Sequence, residues 1–95
     1  MTLDKLYKII ENRKGKKADN SYVASLFKKG RDTIVQKVGE EAIEVIISAK
    51  SKNAKEVISE TADLFFHLLI LLSYFNIKPQ QIFEELEKRN KIKLP

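Results

Sequence analysis

Two short acidic patterns carry most of the chemistry this sequence offers: Glu40-Glu41-Ala-Ile-Glu44 and Glu60-Thr-Ala-Asp63. A carboxylate can accept a proton or hold a hard cation. At 3.6 residues per turn, Glu41 and Glu44 share one helix face with Glu40 at its flank, and Glu60 and Asp63 share another. Acidic residues on helices usually form a solvated stripe, but the surroundings here argue against one. Val38 and Val45 flank one side of the glutamates, and Ile43 and Ile47 flank the other. Leu64, Phe65, Phe66 and the run from Leu68 to Leu72 leave the second segment apolar nearly all round. Such a helix is expected to be buried, and buried carboxylates must be paired, protonated or bound to metal.

Their distances from an intervening turn bring the two patterns together. Ser51-Lys52-Asn53 reads as a turn between two helices, with Glu44 and Glu60 eight residues either side of Lys52, and Glu41 and Asp63 eleven. In an antiparallel hairpin, residues equidistant from the turn sit at similar heights. The spacing predicts Glu44 at the level of Glu60 and Glu41 at that of Asp63, with the levels about 4.5 Å apart. Four carboxylates in so small a volume repel one another unless cations sit among them. All-oxygen ligation favours Mg²⁺, with Mn²⁺ or Ca²⁺ as alternatives, over zinc. Mg²⁺ normally keeps waters and shares substrate phosphates, which points to phosphoanhydride chemistry.

Other residues are candidates for binding. Lys37 lies one turn before Glu41 and either binds phosphate or neutralises the carboxylates. Lys28, Lys29 and Arg31 either clamp phosphate or ribose or are solvated surface charge. Tyr22 either stacks on a base or packs in the core, the core being the simpler assignment. His67 reads as a satisfied interior histidine rather than a ligand.

The elements that must position these residues are all helical. Leu3, Leu6, Tyr7, Ile9 and Ile10 form a first amphipathic segment behind Thr2 as N-cap. Lys14 to Asn20 lacks periodicity and reads as a loop. A short helix is predicted from Ser21 to Gly30, then one from about Asp32 to about Lys50. Asn53 with Glu56 makes a capping-box-like start for a helix reaching Phe75 or Asn76. Pro79 suits the first turn of a last helix ending near Asn90. The expectation is a single all-α domain over residues 1–95, an antiparallel bundle of four to five helices. The helix from Asn53 to Phe75 has more apolar surface than its own chain can cover. The core is therefore expected to be completed by homodimerisation or higher homo-oligomerisation.

Composition narrows the classes. The 95 residues include no cysteine, which excludes disulfides, thiolate zinc sites and cysteine nucleophiles and suits a reducing cytoplasm. The N-terminal segment has no signal-peptide pattern, and the most apolar stretch, Ala62 to Phe75, is too short to span a bilayer. A cytoplasmic protein without a membrane partner is expected. The net charge of +5 comes from clusters at Lys14, Lys16 and Lys17, at Lys28, Lys29 and Arg31, and at Lys88, Arg89, Lys91 and Lys93. It means solubility, or a polyanionic partner such as a nucleotide polyphosphate or a nucleic acid.

Glu40-Glu41-x-x-Glu44 followed by Glu60-x-x-Asp63 resembles the signature of the all-α nucleoside triphosphate pyrophosphohydrolases (MazG-like). Ser21-Tyr22, Gly30, Lys37-Val-Gly-Glu-Glu-Ala-Ile-Glu44 and Glu60-Thr-Ala-Asp63-Leu-Phe-Phe-His67-Leu-Leu resemble the phosphoribosyl-ATP pyrophosphohydrolase branch, from about Leu3 to Arg89. The resemblance implies hydrolysis of phosphoribosyl-ATP to phosphoribosyl-AMP and pyrophosphate, the second step of histidine biosynthesis. It also implies Mg²⁺ held by Glu41, Glu44, Glu60 and Asp63, with Glu40 as a further ligand or base. Val23 stands where the family carries a hydroxyl residue, and Phe66 where tyrosine is common. Some relatives are fused to a cyclohydrolase domain, which no segment here resembles. Two other readings stay open: a house-cleaning hydrolase of noncanonical nucleotides, and a helical nucleic-acid-binding dimer. The latter predicts basic residues gathered on one helix face, whereas here they cluster at a loop and near the two ends.

Overall fold

Short polar side chains and one glycine punctuate the chain. Thr2 accepts from the backbone N–H of Lys5 at 3.2 Å and starts α1 (Leu3–Arg13). Ser21 accepts from Ala24 at 3.1 Å and starts α2 (Tyr22–Lys29), and Asn53 accepts from Glu56 at 3.2 Å and starts α4 (Ala54–Tyr74). Each bond satisfies one of the N–H groups that a first turn leaves without a partner. Pro79 opens α5 (Pro79–Asn90), its missing N–H costing nothing there, while Gln81 accepts from the Lys78 N–H at 2.9 Å. The computed structural model describes residues 1–15 and 21–91, so most of the predicted loop, residues 16–20, lies outside the described residues.

Between α2 and α3 (Arg31–Lys50) there is no loop at all. Gly30 ends one helix and begins the next at φ 100°, ψ −174°, a conformation that a Cβ would strain. Its N–H donates to Leu26 and its carbonyl accepts from Ile34. The turns after α3 and after α4 use left-handed residues that are not glycine. Lys52 (φ 60°) reverses the chain between α3 and α4, and Asn76 (φ 57°) does so between α4 and α5. At the second turn, Ile77 N–H donates to Leu72 and Asn76 N–H to Ser73, a Schellman end that satisfies two terminal carbonyls.

These five helices, with no strand among the described residues, form the predicted all-α bundle. The α3–α4 hairpin is its main contact, α1 lies across α4, and α2 lies against α3. Tyr7, Ile10, Val23, Leu26, Ile34, Leu69 and Ile70 make the core. A polar knot closes one end, where fully buried Ser73 donates to Glu11 at 2.9 Å and Lys14 donates to the Ser73 carbonyl at 2.7 Å. Burial, with Glu11 as hydrogen-bonding and like-charged neighbour, pushes the Tyr7 hydroxyl up to about 12.

One expectation needs correction. α4 is apolar nearly all round, yet it is not buried all round: Ile58 is 71% exposed, Phe65 48% and Leu68 37%. The physical reason is supply. α3 and α1 make the main contacts with α4, α2 touches it through Tyr22, and α5 only flanks an open groove on it, so much of its apolar surface stays uncovered. Taken whole, α4 has 21 residues and a mean hydropathy of 1.4 over its most apolar window, enough by length and composition to cross a bilayer. Its apolar reach is thus greater than the stretch from Ala62 to Phe75. Glu60 and Asp63 sit within it, and ionised groups at membrane depth cost several kcal/mol each, about 2.5–3.5 on insertion scales.

Candidate active site

The hairpin turn at Lys52 delivers the acidic patterns to each other. Glu41 from α3 and Glu60 and Asp63 from α4 each present a carboxylate oxygen, and all three oxygens lie within 4.8 Å of one another. The predicted level of Glu41 with Asp63 is therefore met. Glu44 is exposed and stands outside this trio, although its charge still reaches Glu60. Glu40 is exposed on the outer flank. The carboxylates are also more open than expected: Glu41 and Glu60 are half-buried and Asp63 is exposed. The uncovered side of α4 again explains it.

The charges have distinct settings. Partial desolvation and the neighbouring Asp63, Glu44, Glu41 and Glu56 raise the Glu60 carboxyl above its ordinary value. Glu40 is shifted the other way. Gln36 donates to its Oε2 at 3.2 Å, and Lys37 adds a second stabilising contact, so its carboxyl sits below the usual range. Lys37 Nζ bridges Glu40 at 3.5 Å and Glu41 at 3.6 Å. Desolvation opposes its charge, but Tyr22, Glu40 and Glu41 outweigh that and raise the ammonium. The site thus pairs a crowded carboxylate on α4, whose proton is held more tightly than usual, with one on α3 whose proton is held less tightly.

Tyr22 is not in the core. It is 46% exposed, because its ring lies along the surface of α4 instead of between helices. It stacks on Phe66 (centroids 6.2 Å, 21° between planes), and its hydroxyl lies 2.7 Å from His67 Nε2. His67 is 6% exposed, and its Nδ1 lies 2.7 Å from the Asp63 carbonyl, the satisfied interior histidine expected. Val23, where a hydroxyl residue was expected, is a buried core residue. Lys28 and Arg31 are exposed at the α2–α3 junction, and Arg31 pairs with Asp32 at 3.1 Å. Arg31 begins α3 ten residues before Glu41, roughly 15 Å along the axis, so it is not in contact with the trio. Two partners escaped the sequence reading. Gln36 stands four residues before Glu40, a spacing that could have flagged it. The Tyr22–His67 contact spans 45 residues and leaves no local signal.

Three hard oxygen donors from two helices suit a hard divalent cation in kind and spacing, and they leave coordination positions for water and phosphate oxygens. Beside them stand a charged lysine and a further glutamate. The family model described as phosphoribosyl-ATP pyrophosphohydrolase matches residues 3–90 of this sequence. The chain belongs to that family.

Individual family members are close. The phosphoribosyl-ATP pyrophosphatase of Geobacter metallireducens is 52% identical over 87 residues, covering 92% of this chain and 80% of the relative. That of Clostridium acetobutylicum is 50% identical over 88 residues, 93% and 80% of the two chains. That of Geobacter sulfurreducens is 49% identical over 87 residues, 92% and 81%. The family match runs from the start of α1 to the last residue of α5, so all five helices and the acidic trio fall inside it.

Proposed function

We propose that this protein is a Mg²⁺-dependent hydrolase of the α–β phosphoanhydride of phosphoribosyl-ATP. The products are phosphoribosyl-AMP and pyrophosphate, the second step of histidine biosynthesis in the cytoplasm. The observation that carries this reading is the meeting of Glu41, Glu60 and Asp63 within 4.8 Å in a chain of this family. Those three residues, with Glu44 at the rim, would hold Mg²⁺, or Mn²⁺ in its place. When bound, the cation supplies charge neutralisation on the polyphosphate and makes a nearby water more acidic.

The chain's own residues do the rest. Glu40, held in place by Gln36 and Lys37, is the carboxylate offered to accept the proton of the attacking water. Water oxygen bonds to phosphorus as the anhydride P–O bond breaks, and the electron pair leaves on pyrophosphate. Lys37, kept charged by its neighbours, can move from Glu40 and Glu41 to a phosphate oxygen and offset the charge that develops there. Lys28 and Arg31 offer cations one helix end away, a distance suited to the second phosphate of an extended nucleotide. Tyr22 offers a ring for the base.

The exposed apolar surface supports a homodimer or higher homo-oligomer. Phe65 and Leu68 of α4 line an apolar groove of about 140 Å³ with Ile82 and Phe83 of α5, and Ile43, Ile46 and Ile47 are each 56% exposed on α3. Patches of this kind on a chain this small mark interaction sites. A second copy is the partner that brings a matching face.

The test is pyrophosphate release from phosphoribosyl-ATP, dUTP and ATP, with Mg²⁺ and with EDTA. Preference for phosphoribosyl-ATP and no turnover in EDTA are expected. Preference for dUTP or equal kcat/KM for all three would make the protein a house-cleaning hydrolase. No turnover of any of them would favour the nucleic-acid-binding alternative.

A further inference from the structure

His67 is the one histidine of the chain. It is buried on α4 one turn beyond Asp63, and both ring nitrogens are engaged. The Asp63 carbonyl can only accept, so Nδ1 carries the proton that donates to it. The neutral ring then offers the Nε2 lone pair, and the Tyr22 hydroxyl donates to it. This bond differs from an ordinary buried hydrogen bond in what lies at its other end. Tyr22 is nearly half exposed, and it is the first residue of α2, where little packing would otherwise hold its ring. The ring is fixed at three points: stacked on Phe66, edge-on to His67, and tied through its hydroxyl. Phe66 is itself braced edge-on against His67 at 5.5 Å. The hydroxyl lies close enough to Lys37, Glu41, Asp63 and Glu40 to feel their charges, so the ring stands at the margin of the acidic trio.

We propose that His67 is a positioning residue: through its hydrogen bond to Tyr22 it holds the phenol ring as a ready-made platform on which the substrate's base stacks beside Glu41, Glu60 and Asp63. The proposal rests on the nucleotide substrate argued above. Stacking on an aromatic ring is tolerant of base identity and needs a ring already in place. An untethered ring must be ordered when the ligand arrives, a cost equivalent to roughly a two- to tenfold loss of affinity per side chain. His67 removes that cost without touching the ligand.

The experiment measures binding of α,β-methylene-ATP with Mg²⁺ by calorimetry, alongside KM and kcat for phosphoribosyl-ATP, on the full chain. His67→Leu and Tyr22→Phe are each expected to weaken analogue binding roughly two- to tenfold, with the loss in KM rather than kcat. The double variant should be no weaker than the weaker single, since both remove one bond. His67→Gln should recover most of the loss, because its amide oxygen can accept from the Tyr22 hydroxyl. Parent affinity in Tyr22→Phe, or multiplied losses in the double variant, would overturn the proposal. Tyr22→Phe keeps the test decisive even where His67→Leu folds poorly. Parent protein that binds the analogue but leaves phosphoribosyl-ATP intact defeats the proposed reaction, while the variant series still reads the positioning. A parent that binds no nucleotide defeats the positioning as well.

Discussion

Replacing Glu41 with Gln keeps the side chain's shape and removes one of three anionic oxygens that lie within 4.8 Å of each other. Two opposite effects follow. Without metal, two like-charge contacts disappear against one Lys37 ion pair at 3.6 Å, so Glu41→Gln should melt higher than the parent in EDTA. With metal, the order reverses. A ligand that binds only the folded state adds about 2.7 kcal/mol at a hundredfold excess over its dissociation constant. At about 4–8 °C per kcal/mol for a domain of this size, parent Tm should rise roughly 11–22 °C. Even outer partners of a metal site are worth 10- to 100-fold in affinity, and a direct ligand is worth at least as much. At the same Mg²⁺ concentration, Glu41→Gln should then gain only about 0.4–1.4 kcal/mol, or roughly 2–11 °C. Melting curves by circular dichroism, at one protein concentration with EDTA and with Mg²⁺, measure all four values. Glu44→Gln, outside the trio, should keep more of the Mg²⁺ response. A Glu41→Gln protein that keeps the whole parent shift would refute the metal assignment.

Four further outcomes follow from other parts of the structure. The Glu60 carboxyl is raised in the folded state, so the metal-free fold binds more protons than the unfolded chain just above the ordinary carboxylate range. Its stability should therefore fall as pH rises through that window, and Glu60→Gln should flatten the fall in urea titrations run in EDTA. Ile70 is fully buried, so Ile70→Val should lower stability by about 0.5–1.5 kcal/mol in denaturant unfolding, whereas no change would mean the core is loosely packed. Lys52 sits at φ 60°, where a side chain costs about 1–2 kcal/mol, and Lys52→Gly should raise Tm in spite of glycine's greater unfolded-state entropy; a fall would show that the turn is not left-handed. If α4 is covered by a second copy, the parent should sediment above 11.0 kDa at micromolar concentration and Phe65→Asp should sediment as a single chain; a monomeric parent defeats the dimer.

Helix boundaries were largely legible from residue order because capping is local. Thr2, Ser21 and Asn53 each accept from an N–H three residues on, Pro79 fits a first turn through its own ring, and Gly30 is needed where the chain passes directly from one helix to the next. The meeting of Glu41 with Asp63 was legible for a related reason: a tight turn at Lys52 makes height along the hairpin a matter of counting. Direction around the helix axis is different. Glu41 and Glu44 are about 60° apart on α3, close enough to share a face, and the packing of α3 on α4 settled which one meets Glu60 and Asp63. Burial was also outside the reach of pattern. A run of leucines states that α4 needs cover and is silent on how much of it this chain supplies, which is why the carboxylates are more open than their apolar neighbours suggested. Tyr22 shows the same limit most plainly. Its apolar ring suited a core position, but its hydroxyl met a histidine 45 residues away and its ring came to lie on the surface beside the acidic trio. Local chemistry decided where each helix begins and ends, and only the packing of one helix on another decided which side chains share a site.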